Sequence, residues 1–119
     1  MTKVFLIGLV SALAVLAADV SGKWKAVFDT QIGQQSYVYE FKLDGTKLTG
    51  KATQERGSFE ITEGKVTGDK IQFVENFVYE GMEIRIEYTG KFDGADKIQF
   101  TRNVGQFAVE EFPATRVKQ

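Results

Sequence analysis

From Val20 onward, apolar and polar side chains alternate in short runs, with a turn signal about every ten residues. That is the pattern of hairpins assembled into a sandwich or barrel. The runs predict eight strands, over residues 22–28, 36–43, 47–53, 57–66, 70–79, 82–92, 97–103 and 107–117. Nearly every connection contains a glycine, as in Asp44-Gly45-Thr46, Thr67-Gly68-Asp69 and Glu80-Gly81, and glycine supplies the positive φ that tight hairpin turns need. Pro113 falls inside the last run, where it predicts an edge or a bulge in the ladder, because proline brings no N–H to it. No stretch after Ala18 has helical periodicity.

Period-two sorting gives each strand an apolar face and a polar one. The apolar face gathers Trp24, Ala26 and Phe28; Tyr37, Tyr39, Phe41 and Leu43; Leu48, Gly50 and Ala52; and Phe59 and Ile61. It continues through Ile71, Phe73, Phe77 and Tyr79; Met82, Ile84, Ile86, Tyr88 and Phe92; and Ile98 and Phe100. The other face is rich in Lys, Glu, Thr and Gln. One-sided alternation places one face on a core and the other in water. The simplest closure of such a meander is an all-β, antiparallel up-and-down barrel, closed or nearly so, which leaves no open sheet edges.

The first residues read differently. Lys3 precedes an apolar run from Val4 to Val10 that passes through alanines to Asp19, the order of a secretory signal peptide. Val15 and Ala17 suit the positions before the cut, so cleavage is expected after Ala17, with Ala18 as the alternative. Residues 1–17 are thus read as the leader and 18–119 as one domain. The run is shorter than the roughly 20 apolar residues a spanning helix needs, so no stable membrane insertion is expected after cleavage. The expected location is secreted or periplasmic.

Composition narrows the chemistry. Lys3 is the only charge in the leader, so its loss moves the formal net charge from −1 to −2, which argues against a nucleic-acid partner. The chain has no Cys, so its core holds the fold without disulfides, helped by ten Phe, four Tyr and one Trp. It also has no His, which removes the commonest general base and transition-metal ligand. No metal or cofactor is expected. Catalysis is not expected either. Glu110 and Glu111 are neighbours on a strand and point to opposite faces, so they cannot flank one bond. The few serines (Ser21, Ser36 and Ser58 after the leader) have no base beside them.

Two charged residues share the apolar parity: Glu75 follows Ile71 and Phe73, and Arg102 follows Ile98 and Phe100. In the last run Arg116 shares parity with Phe112 and Ala114. Buried charge is costly unless paired, so these positions imply salt bridges, a polar ligand, or a place at a wet barrel mouth. Glu75 can pair with Arg102 or with Arg116.

Gly22-Lys23-Trp24 opens the first strand and, with Asp44-Gly45-Thr46-Lys47-Leu48-Thr49-Gly50-Lys51-Ala52, resembles the start of the calycin barrels, the lipocalins and avidins. The chain is also similar in tenor to small exported bacterial β domains. The lipocalin resemblance implies that Trp24 closes one end of the barrel and packs against Arg116 on the final strand. It implies a binding module for a small apolar or amphiphilic ligand. In such a pocket Trp24 is the expected floor, Phe41, Phe73, Phe77, Ile86, Tyr88 and Phe100 the walls, and Glu75 and Arg102 the polar contacts. The chain departs from lipocalins in lacking their disulfide, their terminal helix and a short helix after the first strand. The competing expectation is a surface-binding accessory module for carbohydrate or an envelope protein, with the interior filled by its own side chains. Tyr37, Tyr39, Tyr79 and Tyr88 would be its stacking residues if they lay outside.

Overall fold

The computed structural model describes residues 19–118; the leader assigned to residues 1–17 lies outside the described residues. Eight antiparallel strands follow one another in a closed barrel: β1 (Gly22–Thr30), β2 (Gly33–Asp44), β3 (Lys47–Gln54), β4 (Gly57–Thr67), β5 (Lys70–Tyr79), β6 (Met82–Phe92), β7 (Lys97–Val104) and β8 (Ala108–Arg116). Each strand pairs with its sequence neighbours, and β8 returns to pair with β1. The all-β meander expected from the alternation is therefore the fold. Among the described residues no helix is long and apolar enough to cross a membrane.

The strands reach further than their apolar cores. β1 and β2 extend to Thr30 and Gly33, which pair directly and leave a two-residue turn at Gln31 and Ile32. At the β5–β6 turn both Glu80 and Gly81 have positive φ, 51° and 80°. That is the twist two-residue hairpin turns require. In β4 the alternation itself breaks: Glu63 sits at φ 55°, and the pairing with β3 and β5 shifts register around it. A side chain on the adjoining Gly64 would approach the Leu48 carbonyl oxygen to 2.3 Å, so only glycine fits there. The bulge moves the inward parity from Ile61 to Val66, which is fully buried.

Pro113 stays in register with Gln99 of β7. The consequence of its missing N–H falls on the other side. Arg116 donates to Asp96 beside β7, while Val117 donates to Lys23 beside β1. Odd-numbered residues of β8 therefore turn their backbone groups toward β1. The β1–β8 ladder holds Trp24↔Arg116 and Lys25↔Thr115 and stops just before Pro113 comes opposite Val27. Beyond that point the seam is bridged by the Gln31 side-chain amide, which donates to the Phe107 carbonyl at 2.8 Å, and by the stack of Phe28 on Phe112 at 3.8 Å between ring centres.

Trp24 and Arg116 close one end. The Arg116 guanidinium lies over the Trp24 rings, 4.6 Å from the centroid. It also donates to the carbonyls of Ser21, Asp19 and Ala95 and pairs with Asp96 at 3.1 Å. The Trp24 indole N–H donates to Val20, whose side chain is fully buried beneath the N-terminal segment. Above this plug the interior is filled by aromatic rings, among them Phe73 stacked on Tyr88 at 4.3 Å and Tyr39 on Phe41 at 5.8 Å.

Candidate functional site

At the end opposite Trp24 the filling stops. The ends of β1, β2, β3, β5, β6, β7 and β8 surround a cavity of about 200 Å³. Its walls are largely apolar and include Phe77, Tyr79, Ile84, Ile86 and Val104. Ile32, Met82 and Phe107 also border it from the turn regions and remain exposed to solvent at 40%, 54% and 58%. Exposed large apolar side chains gathered at a cavity mouth are what a site for apolar material presents.

The floor of the cavity is polar. It is contributed by Arg102, Tyr37, Gln54, Gln35 and Glu110, which cap a buried network beneath. The Arg102 guanidinium donates through Nε to the Tyr88 hydroxyl at 2.9 Å, through Nη2 to the Tyr37 hydroxyl at 2.9 Å, and through Nη1 to Glu110 Oε1 at 2.6 Å. Tyr37 and Tyr88 each pass their own proton to a different oxygen of Glu75, at 2.9 and 2.8 Å. Tyr88 must then accept from Tyr39, 2.9 Å away, and Tyr37 accepts from Gln54 at 3.3 Å. The hydroxyls of Tyr37 and Tyr88 therefore each donate once and accept twice, which uses their full hydrogen-bonding capacity. Glu75 and Arg102 are 3.7 Å apart and essentially unexposed. Among the described residues no buried side-chain nitrogen or oxygen lacks a partner.

This wiring decides the electrostatics. Burial pushes the Glu75 carboxyl above the usual carboxylate range, and Arg102, Tyr88 and Tyr37 pull it back without cancelling the shift. Burial also raises the hydroxyls of Tyr37, Tyr39 and Tyr88, with the neighbouring Glu75 charge adding to it, so they remain neutral donors.

The residues expected from sequence separate into two groups. Phe77, Ile86 and Arg102 border the cavity. Phe41, Phe73, Tyr88, Phe100 and Glu75 lie below its floor in the packed interior. Trp24 is a floor to the barrel but not to the cavity, because the ring layers and the Glu75–Arg102 network stand between them. Glu75 pairs with Arg102; Arg116 is at the other end. Tyr37, Tyr39 and Tyr88 are buried and Tyr79 is half-buried at the mouth, so the outer wall carries no tyrosine platform for a sugar among the described residues.

Sequence reasoning missed Gln35, Gln54 and Glu110. All three continue the inward parity of their strands: Gln35 before Tyr37, Gln54 after Ala52, Glu110 before Phe112. The signal was present, but Gln35 and Gln54 fell one residue outside the predicted strands at 36–43 and 47–53, and in the last run the parity was followed only from Phe112 onward. Met82 shares inward parity yet is exposed, because it begins β6 at the rim.

Among the described residues no group of three or more His, Cys, Asp or Glu is arranged to hold a metal ion. No protein family, curated protein or solved structure matches the chain. The fold defines its class: an eight-stranded antiparallel up-and-down β-barrel, closed by strand pairing, whose architecture is consistent with a calycin-like fold.

Proposed function

We propose that this protein is an exported, lipocalin-like binding module that takes a small apolar or amphiphilic ligand into the end of the barrel opposite Trp24, and that it works by binding and not by catalysis. The observation that carries this reading is the cavity of about 200 Å³ whose apolar walls continue into the exposed side chains of Ile32, Met82 and Phe107. A barrel of eight strands has room either for its own side chains or for one small ligand. Here the rings occupy the Trp24 end, which leaves the other for a ligand. The volume sets the scale of the guest: a dry apolar cavity of about 150 Å³ accepts benzene. The leader pattern of residues 1–17 supports secretion or a periplasmic location, where such a carrier would meet its ligand outside the cytoplasm.

The test is native mass spectrometry of the mature protein recovered from its own cell envelope, followed by solvent extraction. A stoichiometric small molecule that is lost from a Phe77→Trp variant, in which the larger ring intrudes on the cavity, is the expected result. An apo mass, together with no uptake of toluene by the purified protein, would reject the reading and favour an accessory surface module.

A further inference from the structure

Resting on the binding reading above, we infer that the buried end of the ligand carries a hydrogen-bond donor without negative charge, a hydroxyl or an ammonium, and that carboxylates are excluded. A single arginine beneath an apolar cavity would ordinarily point to an anionic head. In this barrel each nitrogen of the arginine already donates once to a side chain of the protein, and its charge is shared by two carboxylates. Nη1, Nη2 and Nε of Arg102 are directed at Glu110, Tyr37 and Tyr88, and a second carboxylate, Glu75, stands 3.7 Å behind. Two carboxylates therefore face one guanidinium, and the floor as a whole is electronegative. An incoming carboxylate would have to displace Glu110 from a 2.6 Å contact, or sit beside it on a guanidinium whose single charge Glu110 and Glu75 already balance. Like charges in a desolvated site repel strongly.

The hydrogen-bonding capacity left at the floor points the same way. The Glu110 side chain is 10% exposed, and only its Oε1 is engaged; Oε2 has no partner among the described residues. Gln35 is 5% exposed as a residue and its Oε1 accepts from Arg56 at 3.4 Å; its amide N–H groups have no protein partner among the described residues and, since no enclosed side-chain nitrogen there lacks one, they reach solvent. Both side chains line the cavity. A hydroxyl can donate to Glu110 and also accept a hydrogen bond; an ammonium can donate and neutralise the excess charge. Arg56 is the other nearby cation; it reaches the floor only through Gln35 Oε1 and does not line the cavity. It lies at the rim, 5.3 Å over the Tyr79 ring, where an inverted anionic ligand would have to bury its hydrocarbon end against Glu110. The volume allows one ring with a short substituent or a short alkyl chain, by comparison with the roughly 150 Å³ that holds benzene.

The experiment is calorimetric titration of the purified barrel at neutral pH with an isosteric set: n-hexanol, n-hexylamine and sodium hexanoate, with toluene as the probe that has no head group. Hexanol and hexylamine are expected to bind at least about tenfold more tightly than hexanoate. In Glu110→Gln, with folding checked by circular dichroism, the hexylamine advantage should vanish and hexanoate should gain about tenfold. Hexanoate binding as tightly as hexanol to the wild-type protein overturns the head-group assignment and leaves the cavity reading intact. Failure of all four, toluene included, overturns the cavity reading and this inference with it. The wild-type series decides the matter even if the variant does not fold.

Discussion

The two ends of this barrel solve the same problem in opposite ways. Each presents strand termini, turns and an arginine stacked on aromatic rings. At the Trp24 end, Arg116 faces outward over a large ring and spends its donors on backbone carbonyls, tying Asp19, Ser21 and Ala95 into a lid. At the cavity end, Arg102 faces inward and spends its donors on side chains, holding up a floor. The first arginine seals an opening. The second supports one, since a layer of charged and hydroxyl groups stops the aromatic core from continuing upward. A guanidinium has several fixed donors, so its partners, and not the residue type, decide which role it takes.

The largest expected effect breaks the sealed end. Trp24→Ala removes a fully buried indole, the Val20 hydrogen bond and the surface on which Arg116 rests, and should cost about 3–5 kcal/mol in denaturant unfolding. A near-neutral result would mean that the N-terminal segment and Arg116 do not brace the barrel. A paired substitution sharpens the contrast between the halves. Phe73→Ala, in the packed layers, should cost about 3–5 kcal/mol, whereas Phe77→Ala, beside existing empty space, should cost about 3 kcal/mol or less. Equal losses would show that the cavity end is packed as tightly as the other.

The smallest effect is a pH dependence. Glu75 binds its proton more tightly in the folded protein than in the unfolded chain, so its contribution to stability is fully present below the ordinary glutamate range and is lost as pH rises through its raised value. The stability of the wild type relative to Glu75→Gln should therefore fall between acid and neutral pH, measured by unfolding at a series of pH values. A rise over the same interval would mean that Arg102 and the two tyrosines outweigh burial.

These contrasts explain what the sequence could disclose. The sealed end was legible through the resemblance to lipocalins, which sets an early Trp24 against a late Arg116; parity alone placed both side chains inward. The packed middle was legible because its alternation is apolar throughout. The floor was only half legible. Glu75 and Arg102 stood out as charges among hydrophobic residues, but Gln35, Gln54 and Glu110 sit at strand ends, where a polar residue looks like solvent exposure. Which hydroxyl answers which carboxylate depends on cross-barrel neighbours separated by as many as 65 residues, as in the contact of Arg102 with Tyr37. The bulge at Glu63 and Gly64 escaped for a related reason: a one-residue slip needs no distinctive composition, only a glycine where the Leu48 carbonyl comes close.

The seam at Pro113 gives the barrel a direction of assembly. Seven of its strand contacts are hairpins between sequence neighbours, quick to form because little chain must be looped. The eighth joins the first strand to the last, carries the largest loop-closure entropy, and is the contact whose ladder the proline cuts short. Ring closure is thus the expected final step of folding, and this joint, with the shortest ladder of the eight, is the expected place for the barrel to open. Trp24 and Arg116 meet in the short ladder that remains there, so the latch at the sealed end is also what ties the last strand to the first.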